Sequence, residues 1–333
     1  MKKAVYWEQG PKGTILCRLC PHYCVIQPDA AGICRVRKNI NGELISLNYS
    51  QVTSLALDPI EKKPLYHFYP GSQILSVGTK GCNLFCGFCQ NWQISQADAK
   101  TYDITPQTLC DIVGEYSEKG KSIGVSYTYS EPSVWFEFVI ESSRLINEKG
   151  FKNVMITNGH INEEPLNELL PYIDAMNVDI KSFSSGFYKK ICKGQMEPVL
   201  QTLNIAKEAG CHVEVTNLII PDLNDSEEET EELSKWIAKE LDDTVPLHFS
   251  RYYPAYKFNR PPTPIATLKK ASNIARNYLK YVYIGNIPGV EGSDTICYKC
   301  GNKVIKRAAF GVIDVDLKDS KCNHCNAPIH VLL

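Results

Sequence analysis

Between about residues 73 and 290 the chain repeats one pattern: a short apolar run rich in β-branched residues, a polar loop, then apolar positions at helical spacing. The apolar runs predict strands over 74–79, 124–129, 153–157, 176–180, 212–219, 246–251 and 281–284. The helical segments between them cover 106–119, 133–149, 197–209 and 225–240. Gly120, Gly150 and Gly210 stand just past three of these, where a helix end commonly turns left-handed. Ser226, with acids behind it, fits an N-cap. Strands alternating with helices at roughly thirty-residue spacing predict parallel βα units. The expected fold class is therefore α/β, a partial (β/α)6 TIM-type barrel, with a doubly wound sheet as competitor. The loop after the first strand reads Gly78-Thr-Lys-Gly-Cys-Asn83 and lacks Gly-x-Gly-x-x-Gly, which argues against a dinucleotide-binding unit. The barrel is expected over 70–290, a cysteine-rich module over 1–69 and a zinc-ribbon-like module over 291–333.

The ends of the predicted strands carry unusual residues. Cys82, Cys86 and Cys89 follow the first, and Tyr129, Ser130 and Glu131 end the second. Thr157, Asn158 and Gly159 end the third, Asp179 and Lys181 the fourth, and the sixth carries His248 and Arg251. In parallel βα barrels the C-terminal strand ends form the active-site face, so these groups are expected around one cavity. Tyr252, Tyr253 and Arg251 could face a substrate there, packing being the plainer role for the tyrosines.

Composition changes this picture in two places. A net charge of −1 gives no global field toward nucleic acid or membrane. The basic bias of the first forty residues (Lys2, Lys3, Lys12, Arg18, Arg35, Arg37 and Lys38 against Glu8 and Asp29) reads more simply as a solvated face than as a nucleic-acid site. No secretory signal and no run of about twenty apolar residues are seen, which predicts a cytoplasmic protein. The second change comes from fourteen cysteines. In a reducing compartment they read as metal ligands rather than disulfides. Eleven fall into three groups, while Cys110, Cys192 and Cys211 stand alone and read as small buried apolar residues.

Cys82, Cys86 and Cys89 have the spacing C-x3-C-x2-C. Three thiolates this close can each ligate a different iron of a [4Fe–4S] cube and leave the fourth iron open to substrate. Zinc is the alternative, but structural zinc favours four ligands in paired knuckles. Cys297, Cys300, Cys322 and Cys325 do form such paired knuckles, so zinc is expected there, with an auxiliary cluster as the other reading. His324 and His330 are then bystanders. Cys17, Cys20, Cys24 and Cys34 form a less regular set, C-x2-C-x3-C-x9-C, which reads as zinc ahead of a second [4Fe–4S] cluster, with His22 a minor alternative ligand.

A C-x3-C-x2-C loop after the first strand of a βα barrel resembles the signature of radical SAM enzymes, and Phe88 fits the aromatic position that packs on the SAM adenine. The resemblance implies a radical SAM barrel, a [4Fe–4S] cluster and S-adenosylmethionine as cofactors. It also implies reductive cleavage of SAM to a 5′-deoxyadenosyl radical, and an electron donor such as flavodoxin or ferredoxin. Glu131 sits where the family has a Gly-Gly-Glu stretch binding the SAM amino group, without the glycines. Thr157-Asn158-Gly159 and Asp179-Ile180-Lys181 resemble the Thr-Asn-Gly and Asp-Leu-Lys of pyruvate formate-lyase activating enzyme, with Ile156 where that enzyme has Asp. The lysine would reach the SAM carboxylate, and His248 the ribose. The whole chain is similar to the radical SAM component of the AmmeMemoRadiSam system. It shares Cys17-Arg-Leu-Cys-Pro-His-Tyr-Cys24, Tyr127-Thr-Tyr-Ser-Glu-Pro132, Gly285-Asn-Ile-Pro-Gly289 and the terminal cysteine pairs. Two function classes remain at this stage. One is a radical SAM enzyme taking hydrogen from a protein glycine or another macromolecule, RNA included. The other is a metal-binding adaptor without catalysis.

Overall fold

The computed structural model describes residues 1–287 and 292–333. Eight strands form the central sheet: Ser54–Pro59 (β1), Gln73–Gly78 (β2), Gly124–Tyr127 (β3), Lys152–Thr157 (β4), Ala175–Asp179 (β5), His212–Ile219 (β6), Leu247–Arg251 (β7) and Val282–Gly285 (β8). They lie side by side in chain order. β2 to β8 are parallel throughout, and β1 pairs antiparallel with β2. All seven strands expected from the sequence are present within two residues. The parallel strands are buried on both faces, which is why Val77, Val125, Val154, Val178, Val215 and Phe249 stand in near-continuous apolar runs.

Six helices of seven residues or more connect the parallel strands: Pro106–Glu118 (α1), Phe136–Glu148 (α2), Glu163–Leu169 (α3), Glu197–Glu208 (α4), Glu227–Trp236 (α5) and Ile265–Ala275 (α6). The result is six βα units followed by β8. The strand order never reverses, so the sheet has no topological switch point and the doubly wound alternative falls away. The caps expected at Ser226, Gly120, Gly150 and Gly210 are present, and Thr105 adds one that was not expected. Thr105 and Ser226 accept the Thr108 and Glu229 amides at 3.1 Å, and Gly120, Gly150 and Gly210 have positive φ. α5 runs on as a π turn through Leu241, one residue beyond the expected end at 240.

β1 is the strand of the central sheet that the hydrophobic pattern did not announce, and α3 and α6 lie outside the four helical segments it gave. β1 falls inside the stretch read as the N-terminal module (1–69), yet it is an edge of the central sheet, which therefore begins at Ser54. The boundary expected at 290/291, and Pro288 and Gly289 of the Gly285–Gly289 motif, lie outside the described residues. Before β1 stand two small three-stranded antiparallel sheets, and residues of this region bond α2. The Arg37 guanidinium meets the Glu137 carboxylate at 2.8 Å with both side chains buried, and Tyr49 donates to Glu141 at 2.6 Å.

The C-terminal module is a three-stranded antiparallel sheet of Thr295–Ile296 (β9), Lys303–Ala308 (β10) and Gly311–Val315 (β11). Its core takes in residues flanking the central sheet: Val304, Ile305 and Ile329 pack with Tyr66, Tyr281 and Tyr283. His67 is the polar pin of this junction. It is fully buried, with Nδ1–H donating to the His330 carbonyl at 2.7 Å and Nε2 accepting from the Tyr283 hydroxyl at 2.6 Å. Burial pushes its pKa down to about 3 from 6.5. The unfolded chain therefore binds a proton below pH 6.5 that the folded chain refuses until about pH 3, so folding stability rises with pH across that window and is complete above it. In urea titrations His67→Gln is expected to flatten this acid limb by about one proton, roughly 1.4 kcal/mol per pH unit. Equal slopes for the two proteins would remove His67 from the account.

Candidate active site

Cys82, Cys86 and Cys89 leave the C-terminal end of β2 in one loop and line a cavity of ≈440 Å³. The wall continues through 128–131 after β3, 156–158 at β4, Asp179 and Lys181 at β5, Thr216 and Leu218 on β6, and Ser250 on β7. The polar strand ends singled out in the sequence thus converge, as the active-site face of a parallel βα array requires. Phe88 joins them, nearly buried, with its ring 6.0 Å from Phe187 and 5.8 Å from Phe258.

Glu131 organises the wall opposite the loop. Its Oε1 accepts from the Ser133 amide (3.0 Å) and the Thr157 hydroxyl (2.6 Å), and its Oε2 from the Asn158 amide (2.8 Å). Burial raises its pKa, while these donors favour the charged form. Asn158 passes the order on: its Nδ2 donates to Asn83 Oδ1 at 2.9 Å and to the Cys82 sulfur at 3.6 Å. A hydrogen bond of about 1 kcal/mol to a cluster sulfur is equivalent to about 40 mV for a one-electron couple. Asn158→Ala is accordingly expected to lower the midpoint potential of a cluster bound here by about that much, read by EPR-monitored titration; an unmoved potential would mean the contact carries no energy.

Lys181 pairs with Asp179 at 2.8 Å. Burial opposes its charge, but Asp179 and the nearby Cys86 outweigh burial and hold the ammonium well above the ordinary lysine value. His248 lies elsewhere. Its Nε2 is engaged by Glu214 at 2.6 Å, and it faces an adjoining cavity of ≈650 Å³. The two cavities share Lys62, Thr216 and Ser250. Glu214 also receives His212 Nε2 and the Tyr66 and His67 amides, and the two histidines hold its carboxyl well below the usual range against the pull of burial. Tyr252, Tyr253 and Arg251 line neither cavity; Tyr252 is in the core, and Arg251 donates to the Thr263 carbonyl.

Three features of the site were missed by sequence reasoning. Asp58, on β1, accepts Lys62, Lys63 and the Tyr129 hydroxyl at 2.8, 2.7 and 2.6 Å, placing both lysines on the cavity wall. Ser250, on β7, had no signal beyond its strand position. Cys192, read as core, is fully buried and lies near enough to Cys86 to push its thiol pKa up, but does not line the cavity.

The donor set fits an iron–sulfur cluster better than zinc. Thiolates about 2.3 Å from one zinc lie within about 4 Å of each other. Among the described residues, only Cys297, Cys300, Cys322 and Cys325 bring three or more ligand atoms within 4.8 Å. Cys82, Cys86 and Cys89 are not gathered in this way; they line an open cavity, where a cube with one thiolate per iron has room. The fit to a polar ligand above it is also good: Ser130 Oγ and Thr216 Oγ1 are buried on the cavity wall without hydrogen-bond partners among the described residues.

Residues 76–237 match the sequence model of the Radical SAM superfamily. The chain belongs to this superfamily. Over its full length it is 45% identical to an uncharacterised protein of Methanocaldococcus jannaschii, covering 100% of each chain. It is 26% identical to the pyruvate formate-lyase-activating enzyme of Clostridium pasteurianum, over 47% of this chain and 66% of that one. Among solved structures, Streptococcus suis SuiB bound to S-adenosylmethionine shares the fold with a TM-score of 0.52 at 14% identity, over 68% of this chain and 53% of that one. The matched segment runs from the second half of β2 through α5, and holds the triad, Glu131, Asn158 and Lys181. β7 and β8, with His248, lie beyond it. Among the described residues no helix is long and apolar enough to cross a membrane.

Proposed function

We propose that this protein is a radical SAM enzyme whose cluster is held by Cys82, Cys86 and Cys89 in a partial (β/α)6 barrel. The observation that carries the reading is one loop presenting three spaced thiols to a cavity walled by five further strand ends. Bound there, the cluster and S-adenosylmethionine supply one-electron cleavage of SAM to methionine and a 5′-deoxyadenosyl radical, which abstracts hydrogen from substrate. The chain's own residues bind and orient. Lys181, charged and fixed by Asp179, is suited to the SAM carboxylate, and Phe88 to the adenine face. Glu131 sets the Thr157-Asn158 backbone against which the amino group would lie. The adjoining cavity, which shares Lys62, Thr216 and Ser250 with the first, is the substrate space, and His248 stands on its wall.

The relationship to an activating enzyme favours hydrogen abstraction from a protein, of the glycyl-radical-activase kind, over modification of RNA. A low-potential donor such as flavodoxin or ferredoxin would supply the electron. The paired C-terminal knuckles fit structural zinc: Cys297 and Cys325 sulfurs are 3.5 Å apart, and Cys300 and Cys322 3.6 Å. A cytoplasmic, reducing location suits all these ligands. Anaerobically reconstituted protein given dithionite and SAM is expected to form 5′-deoxyadenosine and methionine. An intact cluster that yields neither would leave the adaptor reading standing.

A further inference from the structure

We propose that Cys17, Cys20, Cys24 and Cys34 hold a second [4Fe–4S] cluster, not zinc, and that it carries electrons to the central one. The metal assignment stands independently of SAM chemistry; the electron-carrying role rests on the radical SAM reading. Four observations converge on the site.

The first is spacing. The four cysteines share one small enclosed cavity of ≈10 Å³ with His22 and Arg37. Yet no three of their sulfurs fall within 4.8 Å of one another, whereas the C-terminal four do. Sulfurs drawn to about 2.3 Å from a single zinc would stand within about 4 Å of each other, the spacing seen for Cys297–Cys325 and Cys300–Cys322. The N-terminal set has the open arrangement of the central triad, but with four thiols instead of three. All four corners of a cube would be filled, leaving none for a substrate.

The second is an unanswered donor. Arg37 is fully buried and lines the cavity. Its terminal nitrogens bond Glu137 and the Val5 carbonyl, while its Nε has no partner among the described residues. A buried guanidinium N–H left without an acceptor costs free energy. The sulfide and thiolate sulfurs of a cluster are acceptors of the kind it lacks, and such a bond tunes potential.

The third is position against the central loop. His22, two residues after Cys20, has its Nε2 2.6 Å from the carbonyl of Asn83, the neighbour of Cys82. The Cys34 carbonyl lies so near Gly81 that a Cβ there would approach it to 2.9 Å. The Arg35 guanidinium bonds the Ser95 and Gln96 carbonyls on the far side of the same loop. The N-terminal cysteines thus grip the chain on both sides of the triad. Structural zinc explains a stable module, but gives no reason for it to be seated on this loop.

The fourth is the outer edge. Cys17, Cys20 and Cys34 are buried and Cys24 is partly exposed, with Tyr23, Val25 and Ile33 exposed beside it. An apolar rim around the one accessible ligand suits docking of a one-electron donor protein of the flavodoxin or ferredoxin class. One electron would pass from that donor to the outer cluster (2+ to 1+), and from it to the central cluster (2+ to 1+). The donor is oxidised by one electron, the outer cluster returns to 2+, and no bond or proton changes on the way.

The test is metal and acid-labile sulfide analysis of full-length protein purified anaerobically, beside two variants. Cys24→Ser/Cys34→Ser is expected to lose half the iron and half the sulfide and to keep its zinc. Cys86→Ala is expected to keep half the iron, which guards against the first variant simply failing to fold. A Cys24→Ser/Cys34→Ser protein that loses zinc and keeps all its iron, or a Cys86→Ala protein with no iron, overturns the assignment, whether or not SAM is ever cleaved. For the relay, reduced flavodoxin is mixed with each protein and the central cluster followed by freeze-quench EPR. Loss of the fast phase in Cys24→Ser/Cys34→Ser supports electron transfer through the outer cluster; equal rates overturn it.

Discussion

Cys86→Ala is expected to abolish SAM cleavage, with 5′-deoxyadenosine falling by roughly three orders of magnitude or more, about 4 kcal/mol in the barrier. Cys86 is the middle ligand of the triad and the most buried, 7% exposed, with Lys181 and Asp179 close to its sulfur. Removing it leaves two thiols for a cluster that already has one open corner. One nearby side chain offers a bypass. Cys192 is fully buried and near enough to Cys86 to push its thiol pKa up, so it is a candidate replacement ligand. Cys86→Ala/Cys192→Ala therefore belongs in the same experiment. Activity surviving in the single variant and lost in the double would mean that Cys192 has stepped in. Full iron and full activity in the double variant would sink the assignment of the triad. Zinc content should be untouched in both, because the C-terminal knuckles share no ligand with this loop.

How much of this was legible beforehand depended on whether the signal was local. The parallel strands were readable because burial on both faces forces an apolar run, and Thr157, Asn158 and Lys181 were readable because they sit where those runs stop. The triad was readable from spacing alone. β1 was not, because it is an edge strand whose Leu55 faces solvent, so its run Ser-Leu-Ala-Leu-Asp-Pro has no clear apolar face. The Asp58–Lys63–Tyr129 cluster and the Glu214 hub were also invisible. Each joins residues far apart in sequence, as Tyr129 is from Asp58 and Glu214 from Tyr66, so no local pattern records them. Glu131 shows the limit of position-by-position reading. Its place by the cavity was expected, but its three donors come from the chain itself, so its first task is to hold the wall in shape.

That makes Glu131→Gln the second large effect, expected to cut SAM cleavage about 100-fold and to weaken SAM binding while leaving cluster iron in place. The change is nearly isosteric, so a cavity is not the cause. The carboxylate offers acceptors on both sides, to the Ser133 amide and Thr157 hydroxyl on one oxygen and to the Asn158 amide on the other. An amide has one acceptor. Whichever way Gln is turned, its NH2 faces a backbone N–H, either of Ser133 or of Asn158. A buried N–H left unsatisfied costs about 1–3 kcal/mol, and the chain relieves it by moving the backbone. Thr157 does not relieve this: its hydroxyl can turn to accept from the NH2, but the backbone N–H of Ser133 or Asn158 still lacks its acceptor. Displacement of Asn158 then loosens its contact with Cys82 and shifts the wall that faces SAM. The measurements are SAM affinity by equilibrium dialysis, 5′-deoxyadenosine formation under dithionite, and iron content. An affinity and rate within a few-fold of wild type would show that the charge is dispensable and that the wall keeps its shape without it.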